Sequence, residues 1–371
     1  MASDKNKPYD LDDLIYKRFE EKNNMIYRRL WDKNLPNYGK MFYNNIMNHI
    51  KSGQAGYSRL DFAFVKAGWT VYEKFPFAFA WEEKSPYMGD YGTEWLKERY
   101  EIKDPHTFTT KIKKIAQFYG ASLVGITEIN ENWIYKTGFM RPTLINEESS
   151  KGDLRDGNQT NFSILETSIN LPEGINKAIV MAIEMDKNAI STAPAQPAAA
   201  AAAIGYSKMA FMISCIGSFI RNLGYRAIQC GNDTALSIPL AIDAGLGALG
   251  RLGLLITPEF GPRVRICKVF TDLPLIPDQP DLEFIEKVKN YCKNCYKCAD
   301  ICETNAISKE RNPCFNGLNI SNNSGIEKYY VDGEKCFDFW VINSSDCGYC
   351  IAVCPFSKIS EYLTPNEFWS K

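Results

Sequence analysis

The chain has 371 residues, 43 basic and 44 acidic side chains, a formal net charge of −1, and 45% hydrophobic against 23% charged residues. That size and balance suit a globular protein with a sizeable core and two or three structural units, and they exclude a grip on nucleic acid by bulk charge. With only His49 and His106 available, little room is left for a histidine-ligated metal site.

No run of eighteen apolar residues is present, so no membrane-spanning helix is expected; the most apolar stretch, Pro197 to Gly205, is mostly alanine and too short. Met1 to Asp13 is polar and resembles no signal peptide, and no apolar segment follows Arg28-Arg29. The expectation is a soluble chain from which any export leader is absent.

Residues 1–40 mix charges and aromatics at helical spacing and read as a peripheral part of an N-terminal helical and aromatic unit, residues 1–106. From Tyr57 to Trp95 aromatic residues crowd, among them Phe64, Trp69, Tyr72, Phe79 and Trp81. Most are expected to fill a packed layer. A few would wall an apolar pocket, with Phe79 and Trp81 as candidates, although spacing does not choose among them.

Phe108 to Tyr119 has helical period and stops at Gly120, and Ser122 to Ile126 reads as a buried strand. Arg141 to Asn170 is polar and aperiodic, an expected insertion. Lys177 to Ile183 is a second strand. Pro194 and Pro197 precede a long helix from about Ala198 to Asn222, ended by Gly224. Arg226 to Gln229 is a short strand, Leu236 to Ala244 a buried helix, and Leu254 to Thr257 and Ile266 to Phe270 the last strands. The alternation predicts an α/β layered domain over residues 107–275, with Pro274, Pro277 and Pro280 marking the link to a C-terminal unit, residues 276–371.

Gly245-Leu246-Gly247-Ala248-Leu249-Gly250 spells GxGxxG. A dinucleotide fingerprint needs a strand before it and a helix after it. Here the order is reversed, so dinucleotide binding is rejected. Two readings stay open: backbone that comes close to a bulky flat ligand, or a tight helix-to-strand turn.

Eight of the 12 cysteines fall in the C-terminal unit as Cys292-x2-Cys295-x2-Cys298-x3-Cys302 and Cys336-x10-Cys347-x2-Cys350-x3-Cys354-Pro355. In two-cluster ferredoxins each triplet holds one cube, and the cysteine three residues beyond it ligates the other. The spacing therefore assigns Cys292, Cys295, Cys298 and Cys354 to one [4Fe–4S] cluster and Cys302, Cys336, Cys347 and Cys350 to a second. Zinc explains neither the triplets nor the proline after Cys354, and disulfides suit small secreted domains. One departure is Glu303, where a proline usually follows the fourth cysteine. Cys215, Cys230, Cys267 and Cys314 lack ligand spacing and read as buried thiols.

Several stretches taken together carry a resemblance. They are Ala121 to Ile126 with Trp133-Ile134-Tyr135, Gly205 to Met209, Ala244 to Gly247, Ile256 to Arg265, Val269 to Pro274, and the two cysteine motifs. Over about residues 55–360 the chain resembles the corrinoid-dependent reductive dehalogenases of organohalide-respiring bacteria. The run from Gly245 to Pro274 joined to Cys292–Pro355 is the specific part.

The resemblance implies a base-off cobamide in a nitroreductase-like α/β domain, followed by a bacterial-ferredoxin-like domain with two [4Fe–4S] clusters. Cofactor contacts would come from Trp133, Tyr135, Gly245, Leu246, Gly247 and Gly250. No histidine on cobalt is expected, since Asp104-Pro105-His106 lacks the glycine of Asp-x-His-x-x-Gly. Electrons would reach cobalt through the clusters, and Co(I) would remove halide from a small chlorinated alkane or alkene. Tyr206 matches the family's proton donor and Arg265 the arginine that stabilises its phenolate. Asn232 matches a residue that positions substrate or halide, and Trp340 a pocket-wall aromatic. Without the resemblance Tyr206 reads as a buried helix residue, Arg265 as the partner of Glu259 or another acid, and Asn232 as a turn residue before Asp233.

The same resemblance implies twin-arginine export to the outer face of the cytoplasmic membrane, a small integral-membrane anchor protein, and a separate low-potential electron donor. Two rivals stand beside it. One is an epoxyqueuosine-reductase-like corrinoid enzyme acting on tRNA with Asp233 as acid. The other is a non-catalytic iron–sulfur electron carrier. A catabolic dehalogenase is a further possibility, but such enzymes usually carry an appended reductase domain.

Overall fold

The computed structural model describes residues 8–40, 45–74, 99–139 and 166–370. Phe79, Trp81 and residues 141–165 of the expected insertion lie outside the described residues. Eight strands occur among the described residues: β1 (Leu123–Glu128), β2 (Thr137–Phe139), β3 (Glu166–Ser168), β4 (Lys177–Glu184), β5 (Ala227–Cys230), β6 (Ala248–Leu249), β7 (Leu255–Ile256) and β8 (Val264–Thr271). β1, β4, β8 and β5 form one sheet in that order, while β2 pairs with β3 and β6 with β7.

Every neighbouring pair in the main sheet is antiparallel, so the fold is a mixed helix-and-sheet layer rather than a parallel α/β array. Alternation of helix and strand does not by itself dictate strand direction; the sense of each return does. β4 and β8 pair over eight residues, from Lys177 opposite Thr271 to Glu184 opposite Val264. Side chains alternate across a strand, and β4 is buried on both faces. Ile179, Met181 and Ile183 enter one core with Ile112 of helix Pro105–Phe118 and Met212, Ile213 and Ile216 of helix Gln196–Asn222. Ala178, Val180 and Ala182 enter the other, with Leu240 of helix Ser237–Asp243 and the buried cysteines of the C-terminal unit.

Helix Gln196–Asn222 reaches the length and mean hydropathy, 1.5, of a membrane-spanning helix, against the sequence expectation that no segment would. Its apolar character is spent on the protein's own core: 67% of the most apolar window is buried. The alanine run permits close helix contact. Ala200 and Ala203 pack on Val65 and Trp69, and a Cβ on Gly68 would lie 2.9 Å from that of Ala203.

The segment read as peripheral is a strap across both units. Phe19 is buried beside Tyr135, and Arg18 donates to the carbonyls of Ile134, Tyr135 and Ile169. The Glu21 carboxylate accepts the Phe139 amide. Arg28 pairs with Asp32 and with Glu334 of the C-terminal unit. Helical spacing reads this segment as peripheral because Arg18, Glu21 and Arg28 find partners far away in sequence. Among the cysteines read as buried thiols, Cys230 and Cys267 are buried, whereas Cys215 is only half-buried and Cys314 is exposed.

Ile213 is fully enclosed between the long helix and the sheet. Ile213→Ala is expected to lower unfolding stability by about 2–5 kcal/mol. Phe118→Ala, at a side chain 85% exposed, should change it by under about 0.5 kcal/mol. Chemical denaturation followed by circular dichroism checks both.

Candidate active site

The C-terminal unit presents its thiols in two sets. Burial raises the Cys298 thiol to about 12, and Cys292, Cys354 and Cys295 add to the rise. Cys354 is likewise pushed up to about 12 by burial, with Cys292 and Cys295 adding. Burial also raises Cys336 and Cys347 to about 12; Cys302 adds to the first, Cys336 and Cys302 to the second. Cys350 is held above the ordinary thiol range by burial and then by Cys336, Cys347, Cys298 and Cys302. Cys292, Cys295, Cys298 and Cys354 are thus mutual neighbours, as are Cys302, Cys336, Cys347 and Cys350, and the sets approach where Cys350 meets Cys298. Such clustered, desolvated thiols favour a bound cationic centre that takes them as thiolates.

Arg251, directly after the glycine motif, organises this region. Its fully buried guanidinium donates to the carbonyls of Cys292, Cys295, Ser308 and Glu310 at 2.7–3.1 Å. It is sandwiched by Tyr296 and Tyr329, 4.4 and 3.8 Å from the ring centroids. The motif itself is a helix-to-strand turn. A Cβ on Gly245, at φ +73°, would lie 2.6 Å from the Gln279 carbonyl oxygen, and one on Gly247 would lie 2.1 Å from that of Ile256. These glycines make room for the protein's own backbone.

On the other side of the sheet, Tyr206 projects from the long helix. Asn232 Nδ2 donates to its hydroxyl oxygen at 2.8 Å. The Arg265 guanidinium carbon, from β8, lies 5.1 Å from the ring centroid. Trp69 stacks on Tyr206 at 4.9 Å and 25°, and Tyr72 meets it edge-on at 5.3 Å. A Cβ on Gly205 would come within 2.8 Å of Arg265 Cγ, so glycine there admits the arginine. Arg265 Nη2 faces Asp346 Oδ2 at 3.9 Å, and buried Arg265 Nε has no hydrogen-bond partner. The acid beside Arg265 is therefore Asp346, next to Cys347, rather than Glu259.

Sequence reasoning missed Lys268. This fully buried ammonium donates to Gly231 O at 2.6 Å, Ala235 O at 2.9 Å and Ser237 Oγ at 3.1 Å, pinning the loop that presents Asn232. Burial lowers its pKa. The only signal was a lysine inside an otherwise apolar strand. The Asp233 carboxylate accepts the Gly231 amide at 2.8 Å and the Thr234 hydroxyl at 2.7 Å, and is engaged in its own turn.

A cavity of about 770 Å³ lies between the sheet domain and the C-terminal unit. Leu236, Ile238, Leu249 and Leu254 give it apolar walls, while Arg265, Asn232 and Cys292 reach it from different sides. Trp133, Tyr135 and Gly250 also line it; Gly245, Leu246 and Gly247 do not. Trp133 is fully buried, its indole donating to Asp243 at 2.7 Å, and Asp243 also accepts from Tyr9 at 2.9 Å. Trp340 borders a second cavity of about 370 Å³ with Cys336, sharing Tyr135, Leu236 and Lys328 with the first. Neither His49 nor His106 lines either space. The larger cavity falls in the size range of cofactor sites. Its apolar walls and scattered polar groups fit a broad macrocycle with a polar rim.

Residues 291–358 match the 4Fe-4S dicluster domain family. A tetrachloroethene reductive dehalogenase of Desulfitobacterium hafniense is 38% identical over 292 residues, 73% of this chain and 51% of that protein. One of Sulfurospirillum multivorans is 36% identical over 274 residues, 72% of this chain and 54% of that protein. The chain thus spans about half the length of the curated relatives it matches. Among solved structures, a reductive dehalogenase described in terms of B12-dependent dehalogenation superposes with TM-score 0.65 and 20% identity, over 98% of this chain and 45% of that one. The catabolic reductive dehalogenase NpRdhA, bound to 3-bromo-4-hydroxybenzoic acid, superposes with TM-score 0.63 and 20% identity, over 94% and 43%. At that identity the likeness establishes a shared fold.

The two thiol sets cross the sequence order, which iron analysis can test. The Cys298→Ala/Cys354→Ala double variant is expected to lose one cluster and keep about four of eight irons. Cys302→Ala/Cys354→Ala is expected to lose both. If each cluster used its four sequence-adjacent cysteines, both double variants would lose both clusters.

Proposed function

We propose, from homology to a tetrachloroethene reductive dehalogenase over 73% of this chain and 51% of that protein, that the chain is a reductive dehalogenase that removes halide from a small chlorinated alkane or alkene, using a corrinoid held in the 770 Å³ cavity. The observation that carries this reading is the Tyr206 hydroxyl, held by Asn232 at 2.8 Å under the Arg265 guanidinium, where Asn232 and Arg265, though not Tyr206 itself, line the cavity that also includes Cys292. The names of the curated relatives, tetrachloroethene reductive dehalogenases, support a chlorinated ethene as one substrate.

Net reductive dehalogenation consumes two electrons and one proton and turns R–Cl into R–H and chloride. Bound in the cavity, the corrinoid supplies a low-potential cobalt centre as the source of those electrons. Leu236, Ile238, Leu249, Leu254, Trp133 and Tyr135 would hold it, offering apolar surface to the ring. The first cysteine set would bring an iron–sulfur cluster to this cavity through Cys292 in its wall, and the second would lie beyond it, with Cys336 in the wall of the smaller cavity.

The proton comes from Tyr206 Oη. Asn232 donates to that oxygen, which leaves the phenolic hydrogen free to point at the substrate. Arg265 lies over the same ring and stabilises the phenolate left after donation. Trp69 and Tyr72 fix the plane of the ring. Lys268 holds the loop that supplies Asn232. Asp233 is committed to its turn, which favours this reading over the tRNA-modifying alternative.

The nitroreductase-like character of the corrinoid domain, the separate electron donor, the small membrane anchor protein and the location at the outer face of the membrane are parts of the same proposal. The family resemblance supports them.

Tyr206→Phe is expected to lower chloride release by at least about a hundredfold, the scale of a lost general acid. The assay uses anaerobically reconstituted chain with reduced viologen, across chlorinated ethenes, ethanes and methanes. Cobalt and iron contents should be unchanged. Activity retained by that variant would remove Tyr206 from the reaction.

A further inference from the structure

Lys328 lines both cavities at the place where they adjoin. Its backbone is held by Cys314 in both directions, so the residue is fixed in place. The ammonium lies 4.8 Å from the Tyr330 ring centroid, and the Tyr330 hydroxyl is itself tied to the carbonyls of Phe315 and Ile326 at 3.0 and 2.9 Å. No carboxylate or hydrogen-bond acceptor among the described residues engages Lys328 Nζ. Burial pushes its pKa down to about 8. Lys328 is half-buried in the cavity wall, and a cation placed there with no protein anion beside it is a candidate to meet a ligand anion.

The surroundings agree. The charged side chains lining the larger cavity are Arg265, Lys289, Lys293 and Lys328 against Glu286 and Glu327. The Glu327 carboxyl is raised by burial and then by Asp10, which weakens it as a counter-charge. A cavity with apolar walls and a cationic excess suits a large apolar-faced ring that carries an anionic tail. In a cobamide that tail is the nucleotide loop with its phosphodiester, which is free to lie away from the metal when the base is off.

We propose that Lys328 receives the phosphodiester of the corrinoid's nucleotide tail, so that the cavity distinguishes complete cobamides from corrinoids that lack the tail. This rests on the corrinoid reading of the cavity. It adds a specificity residue to the wall of that cavity.

The test is a binding measurement. Cluster-loaded chain is titrated anaerobically with aquocobalamin and, separately, with cobinamide, which keeps the corrin ring and its amides but has no nucleotide phosphodiester. Absorbance gives each Kd. Lys328→Met is expected to weaken aquocobalamin binding about ten- to a hundredfold, the scale of one charge-assisted hydrogen bond, and cobinamide binding by less than about threefold. Lys328→Arg should keep most of the preference, and Lys287→Met, at an exposed lysine that lines neither cavity, should keep nearly all of it. Iron content and circular dichroism report on folding, and the ratio of the two Kd values within one protein is insensitive to partial misfolding. An unchanged ratio in Lys328→Met, or an equal loss for both corrinoids, overturns the assignment while leaving the corrinoid reading in place. Failure of the unmutated chain to bind either corrinoid overturns the reading of the cavity and this inference with it.

Discussion

The eight-residue register between β4 and β8 decides where the reactive side chains stand. Arg265, Cys267 and Val269 face the core that contains the long helix, whereas Val264, Lys268 and Phe270 face the other. Arg265 therefore meets Tyr206, and Lys268, three residues on, reaches through the opposite face to the loop of Asn232. The two halves of one hydrogen-bonded pair, Tyr206 and Asn232, are thus positioned from opposite faces of a single strand. A slip of one residue would exchange the faces and dismantle both arrangements. Burial of β4 on its two sides makes that slip expensive, because six consecutive residues would leave their packing partners.

Two buried cations in this fold are satisfied by carbonyl oxygens rather than by carboxylates. Lys268 collects two carbonyls and a hydroxyl, and Arg251 four carbonyls between two tyrosine rings. Ion pairs desolvate two charges, and their attraction often fails to repay that cost. Carbonyl dipoles orient a loop while adding no second charge. Arg263 shows the mixed form, donating to Glu184 at 2.8 Å and to the carbonyls of Met185 and Ser357. In each case the cation ties together backbone segments distant in sequence: the Asn232 loop to β8, the first cysteine loop to the glycine turn, and the tail of the C-terminal unit to the sheet.

Much of this was legible in the residues. Strand positions at Leu123–Glu128, Lys177–Glu184 and Val264–Thr271 follow from short apolar runs bounded by glycine, proline or asparagine, and the cysteine spacing points to thiols that are neighbours in the fold although distant in the chain. The helix-to-strand order around Gly245 was also readable. Strand direction was not, since periodicity reports which face a side chain takes and is silent on which way its neighbour runs. The strap was misplaced because the partners of Arg28 and Glu21 lie hundreds of residues or a full domain away, beyond any local window. Lys268 and Arg251 escaped for a related reason: a cation satisfied by carbonyls leaves no acidic partner in the sequence to betray it.

The crossed thiol sets also bear on how the protein comes into being. Cys292, Cys295 and Cys298 leave the ribosome together, but Cys354, their neighbour in the folded protein, follows only after the whole intervening loop and helix Gly333–Asn343. Cys302 waits in the same way for Cys336, Cys347 and Cys350. A nascent chain can therefore offer an incomplete thiol trio for a long interval, open to oxidation or to the wrong metal, before either inorganic core can be enclosed. With crossed ligand sets, maturation would come late for both clusters, which would make the delivery of iron and sulfide a problem of timing as much as of recognition.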